Sequence, residues 1–135
     1  VPVGVSLAPV IPGLNEHLIG AALASARDAG AGWAWMSVVR LPGSVATVFS
    51  ERLAEALPLR AAAVLDRVQR ARGGAMNDSR FGERMRGCDE AWRVTERAFA
   101  VQAARLGLAT SSPPFPERSP FRVPGGARQL DLFGG

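Results

Sequence analysis

The first 41 residues constrain the fold more than any other stretch, because strand, helix and strand patterns follow one another with almost nothing between them. Val1, Val3, Val5 and Leu7 fall on one face of a strand, and Gly4, Ser6 and Ala8 on the other. Pro12-Gly13 turns the chain, and Asn15 is placed to cap a helix. Leu18, Ile19, Ala22, Leu23 and Ala26 form that helix's apolar stripe, and Gly30 with Gly32 ends it. Trp33 to Leu41 is a second strand closing on Val38-Val39-Arg40. A strand, a helix and a strand in this space predict a βαβ crossover and a parallel sheet. The β-branched face of the first strand suits packing beneath a helix. The small face leaves room for a ligand or a neighbouring layer to approach the backbone. A strand at the start of a chain must still pair its main-chain groups. The expectation is a C-terminal piece of a larger α/β protein, incompletely stable when isolated.

Beyond the second strand, Leu41-Pro42-Gly43-Ser44 breaks the pattern, with Ser44 as the expected cap of the next helix. Helical periodicity covers 45–56 and 58–72, with Pro58 in a first turn, where proline is tolerated. Gly73-Gly74 ends this pair, and 73–87 is a polar loop rich in Gly and Arg. A long helix over 89–106 carries Trp92, Thr95, Phe99, Ala103 and Leu106 on one side. From Ala109 onward, prolines at 113, 114, 116, 120 and 124 exclude regular structure. Three units follow: a strand–helix–strand unit over 1–44, a helical extension over 45–108, and a Pro-rich tail over 109–135.

Composition narrows the function classes. A chain that is 47% hydrophobic and 21% charged is globular rather than disordered. All 16 basic residues are Arg. This reflects either a G- and C-rich genome or selection for planar guanidinium forks that grip phosphate and carboxylate. The net charge of +4 permits contact with nucleic acid without requiring it. Cys88 is the single cysteine and His17 the single histidine, so neither an internal disulfide nor a closed metal site can form from these residues. No apolar run approaches the roughly 20 residues that span a bilayer, and no basic leader opens the sequence. The expectation is a soluble, cytoplasmic protein without membrane contact.

Pro2-Val-Gly-Val-Ser-Leu-Ala-Pro-Val-Ile-Pro-Gly-Leu-Asn15, with its helix and the strand ending Val39-Arg-Leu-Pro42, resembles the fifth and sixth strands of a radical SAM barrel. Arg72-Gly-Gly74, Asp78-Ser-Arg-Phe-Gly82 and Arg84-Met-Arg-Gly87 resemble the C-terminal extension of a bacterial subgroup related to spore photoproduct lyase. The resemblance implies an α/β fold, the C-terminal part of a partial (β/α)6 barrel followed by a helical extension. It implies a [4Fe–4S] cluster and S-adenosylmethionine in the parent protein, which would cleave that cofactor reductively to a 5′-deoxyadenosyl radical. The family holds its cluster on cysteines spaced CxxxCxxC. That motif is absent here and Cys88 matches none of its positions, so this chain alone is expected to be inactive.

Ligands of parallel sheets sit at the carboxyl ends of the strands. Pro12, Gly13, Asn15 and Arg40 are therefore candidates for a cofactor or substrate cleft. The competing reading makes Asn15 only a cap and Arg40 only a strand-end charge reaching solvent. Arg80, Arg84 and Arg86, with Phe81 among them, form either a phosphate-binding patch for DNA or a network with Asp78, Glu83 and Asp89. Gln129-Leu-Asp-Leu-Phe133 resembles the bacterial sliding-clamp-binding pentapeptide. Leu130, Leu132 and Phe133 would fill an apolar pocket, and the Gln129 amide would set register. Alternatively, Leu132 and Phe133 fold back on the domain. Two functions are thus expected to compete: a radical SAM enzyme fragment, acting on DNA or in its repair, and a non-enzymatic module bridging DNA and a sliding clamp.

Overall fold

The computed structural model describes residues 2–74, 76 and 87–114. In chain order they form β1 (Gly4–Val10), a 3-10 turn (Glu16–Leu18), α1 (Ile19–Asp28), β2 (Trp33–Val38), α2 (Ser44–Ala56), α3 (Ala61–Ala71) and α4 (Glu90–Arg105). β1 and β2 pair in parallel, from Gly4 opposite Trp33 to Leu7 opposite Met36, and α1 is the crossover. The register slips between Leu7 and Val10, around Pro9, which has no N–H to give to the ladder. The result is a mixed α/β arrangement with two parallel strands and four α-helices among the described residues.

The buried core joins both strands to all four helices through Val10, Leu23, Ala34, Val38, Leu53, Val64, Val68, Trp92, Phe99 and Ala103. On α3 the buried residues Ala61, Val64, Val68 and Ala71 keep the i, i+3/i+4 spacing of one face. On α4, Trp92, Phe99 and Ala103 do the same. The stripe expected on the first helix is cut short. Ile19 and Leu23 are buried, but Leu18 is 53% exposed because it lies in the 3-10 turn, out of phase with α1.

Several expected boundaries move for local reasons. Ser44 is the first helical residue of α2, and Gly43, at φ +52°, takes the cap position with no side-chain bond. Pro58 stands in the turn before α3, where Leu57 O accepts from both Arg60 N and Ala61 N, each at 2.9 Å. Ala109, expected to open an irregular tail, instead bridges to Trp33: Ala34 N donates to Ala109 O at 2.7 Å, and Ala109 N to Gly32 O at 3.1 Å.

At Gly4 the small face of β1 is filled by the chain itself, while Ser6 and Ala8 on the same face stay exposed. A Cβ on Gly4 would fall 2.0 Å from the Trp33 ring, so the neighbouring strand's indole occupies the space read as open to a ligand. Gly4→Ala is expected to push that ring out of its rotamer and cost about 1–2 kcal/mol of stability. Urea unfolding of the two proteins measures it; equal midpoints would show that the indole moves at no cost.

Candidate functional site

At the carboxyl end of β1 the chain turns through Ile11 to Asn15, with Leu14 N and Asn15 N both donating to Ile11 O, at 3.0 and 3.3 Å. Gly13 sits at φ +80°, a conformation that favours glycine. Its N–H donates to the Glu16 carboxylate, and its carbonyl accepts from Arg60 Nη2 at 2.7 Å. Arg67 Nη1 lies 3.6 Å from the other Glu16 oxygen. The turn is therefore clasped from α3 and from the residue just before it.

Asn15 occupies the position before the 3-10 turn but makes no side-chain cap bond to it. Its amide points back along the strand instead: Oδ1 accepts from Ile11 N at 2.7 Å, and Nδ2 donates to Pro9 O at 3.1 Å. The reason is geometric. The tight helical start offers Asn15 no N–H in line, while the end of β1 leaves one donor and one acceptor within its reach.

At the carboxyl end of β2 the dominant group is Arg72, 4% exposed, at the end of α3. Its Nε donates to Val39 O at 2.9 Å, and Nη2 donates to Val38 O at 3.0 Å and to Val39 O at 2.8 Å. The guanidinium thus satisfies two carbonyls where the β-ladder stops. Arg40 follows directly, half-buried and partnered. Leu41 N donates to Met76 O at 3.3 Å, and Cys88 N donates to Ala71 O at 2.9 Å, so the loop between α3 and α4 leaves and returns at this end of the structure. Arg80, Arg84 and Arg86 lie outside the described residues, as do Gln129, Leu130, Leu132 and Phe133.

A cleft of about 310 Å³ opens between the β1–α1 turn, α3 and the first turns of α4, lined by Pro12, Glu16, Arg67, Arg70, Asp89, Ala91, Trp92 and Thr95. Trp92 underlies it and is 3% exposed. Asp89 caps α4 by accepting from Trp92 N at 2.8 Å, and Trp92 Nε1 donates to Glu96 Oε1 at 2.8 Å. Arg70 pairs with Asp66 at 2.6 Å. Two guanidiniums and two carboxylates therefore meet around an apolar floor, and each already has a partner or a capping bond. Such a cleft suits a ligand with charges of both signs better than a bare polyanion.

The four expected site residues do not share one hollow. Pro12 lines this cleft, while Gly13 borders a hollow of about 160 Å³ with Leu59, Arg60, Ala63, Val64 and Arg67. Asn15 borders a groove of about 280 Å³ along β1 and α1, and Arg40 lines none of the three. Sequence reading missed Arg60, Arg67 and Arg72 as turn and strand-end clasps. The seven-residue spacing of Arg60 and Arg67, which returns to the same helix face, was the available signal. No cluster of three or more His, Cys, Asp or Glu side chains able to hold a metal occurs among the described residues, and Cys88 is exposed. No protein-family model, no curated protein and no solved structure matches the chain.

Proposed function

We propose that this chain is the C-terminal part of a radical SAM protein and supplies two barrel strands and a helical extension to an active site completed by other residues. Support comes from the parallel β1–α1–β2 unit, whose carboxyl ends are held by the arginines that flank α3, Arg60 and Arg72, and from the Arg-Gly-Gly and Arg-Met-Arg-Gly sequences that carry the resemblance. A [4Fe–4S] cluster does not fit the residues present. Its thiolate ligands number at least three in this family, and the chain has one cysteine, exposed and bonded by its thiol to Ala71 O at 3.5 Å. The part this chain plays is to position strand ends, and the cluster ligands belong to other polypeptide. No helix among the described residues is long and apolar enough to cross a membrane.

The test is the product of the complete coding sequence, purified without oxygen and supplied with iron and sulfide. It is expected to carry CxxxCxxC upstream and to release 5′-deoxyadenosine from S-adenosylmethionine under a strong reductant. A complete product without that motif and without 5′-deoxyadenosine would overturn the reading. It would leave the competing one, a DNA- and clamp-binding module, which the Gln129–Phe133 motif favours. In that case a tail peptide is expected to bind a purified bacterial sliding clamp.

A further inference from the structure

Two helices carry exposed valines in pairs. Val45 and Val48 on α2 are 48% and 55% exposed, and Val94 and Val101 on α4 are 61% and 45% exposed. Nothing local selects valine there, because its restricted χ1 makes it a weak helix former. Single apolar residues on a surface need no explanation. Pairs at helical spacing on two separate faces do.

On α2, Val45, Val48 and Glu51 follow at steps of three along one face. Only Leu53 of its 13 residues is buried, so the helix gains little from its own chain. Arg52, at the margin of this face, is bonded to Glu55 at 2.7 Å, which leaves Glu51 as the unmatched charge. On α4, Val94, Arg97, Val101 and Arg105 follow at steps of three, four and four, opposite the buried Trp92, Phe99 and Ala103. Neither Glu51 nor Arg97 has an ion-pair partner among the described residues, and both are exposed. α2 packs on α3 and α4 on α1, with these two faces turned outward. The faces are thus alike in apolar content and opposite in charge.

We propose that the α2 face of one copy of this chain docks antiparallel on the α4 face of a second copy, a contact independent of the function proposed above. The antiparallel direction opposes the helix dipoles. It also sets Glu51 opposite Arg97 and Val48 opposite Val101 in a single register, with Val45 and Val94 at the two ends. Like faces do not match: α4 on α4 brings Arg97 against Arg97, and α2 on α2 brings Glu51 against Glu51. The pairing is heterologous, so two copies close it reciprocally or successive copies extend it as a chain. One helix face on each side falls short of the roughly 1,200 Å² of a stable interface, so the association is weak and grows with concentration.

Sedimentation velocity over a range of concentrations, on the product of the complete coding sequence, tests this. The weight-average mass is expected to rise with concentration, and to rise less at high salt, which screens the Glu51–Arg97 attraction. Glu51→Arg and Arg97→Glu change exposed side chains and spare the core. Each is expected to weaken association about 10-fold by setting like charges together. An equal mixture of the two variants is expected to associate as wild type does, because each then meets an unlike face on the other. That recovery also shows that both variants are folded. A wild-type mass that stays at one copy overturns the inference. A variant that associates as strongly as wild type overturns it too, by placing the contact elsewhere. Loss in both variants without recovery on mixing also overturns it, by giving the faces to another occupant.

Discussion

Arg72→Met is expected to lower the unfolding free energy by about 3 kcal/mol, the cost of leaving buried carbonyls without donors. Arg72 is 4% exposed and donates at 2.8–3.0 Å to Val38 O and Val39 O. Both carbonyls lie where β2 stops, and among the described residues no further strand residue supplies an N–H. Methionine fills much of the volume but donates nothing, so packing is largely kept while the polar groups are orphaned. Lysine keeps the charge but presents it as a point, and cannot span two carbonyls with a planar fork. Arg72→Lys is expected to fall between wild type and Arg72→Met. Urea unfolding with an unchanged m-value measures the difference. A Met variant within about 1 kcal/mol of wild type would mean that water replaces the guanidinium.

Trp92→Ala is expected to cost more, about 4 kcal/mol, the middle of the range for removing a large buried aromatic. Trp92 is 3% exposed, and its Nε1 donates to Glu96 at 2.8 Å. The chain is shaped around the ring: a Cβ on Gly87 would fall 2.3 Å from the indole, so only glycine fits there while the ring is in place. The same side chain underlies the 310 Å³ cleft, so truncation both weakens the core and deepens the cleft. Trp92→Phe separates the two contributions. It keeps most of the apolar contact and loses the Glu96 bond, for an expected cost of about 1–2 kcal/mol. Unfolding midpoints of the three proteins give the order. An Ala variant no worse than the Phe variant would show that the surroundings collapse into the space.

The helices were legible because their signal is periodic and local. The patterns over 45–56 and 89–106 are found as Ser44–Ala56 and Glu90–Arg105, and buried Trp92, Phe99 and Ala103 lie on the stripe read from spacing alone. The parallel pairing was legible for the same reason: strand, helix and strand in forty residues leave the chain few other ways to pack. The candidate site was much less so. Pro12, Gly13 and Asn15 were marked correctly as the turn beyond β1, but which groups hold that turn depends on Arg60 and Arg67, 47 and more residues away. Nothing in a tight Pro-Gly turn shows that its carbonyl is taken from a distant helix.

Asn15, Gly4 and Arg72 mark where sequence stops and tertiary structure decides. The sequence by itself placed Asn15 in the turn beyond β1 but read it as a helix cap, which it is not; it also assigned Gly4 a small face on β1 and ended a helix at Arg72 before two glycines. Each of those statements needs only residue type and near neighbours. Tertiary structure decided the direction of the Asn15 amide, the indole that fills the Gly4 face, and the burial of Arg72 against β2. These depend on how strands register and how α3 seats on the sheet. A hydrogen bond that spans 33 residues is specified by packing, where geometry rather than propensity selects the partner.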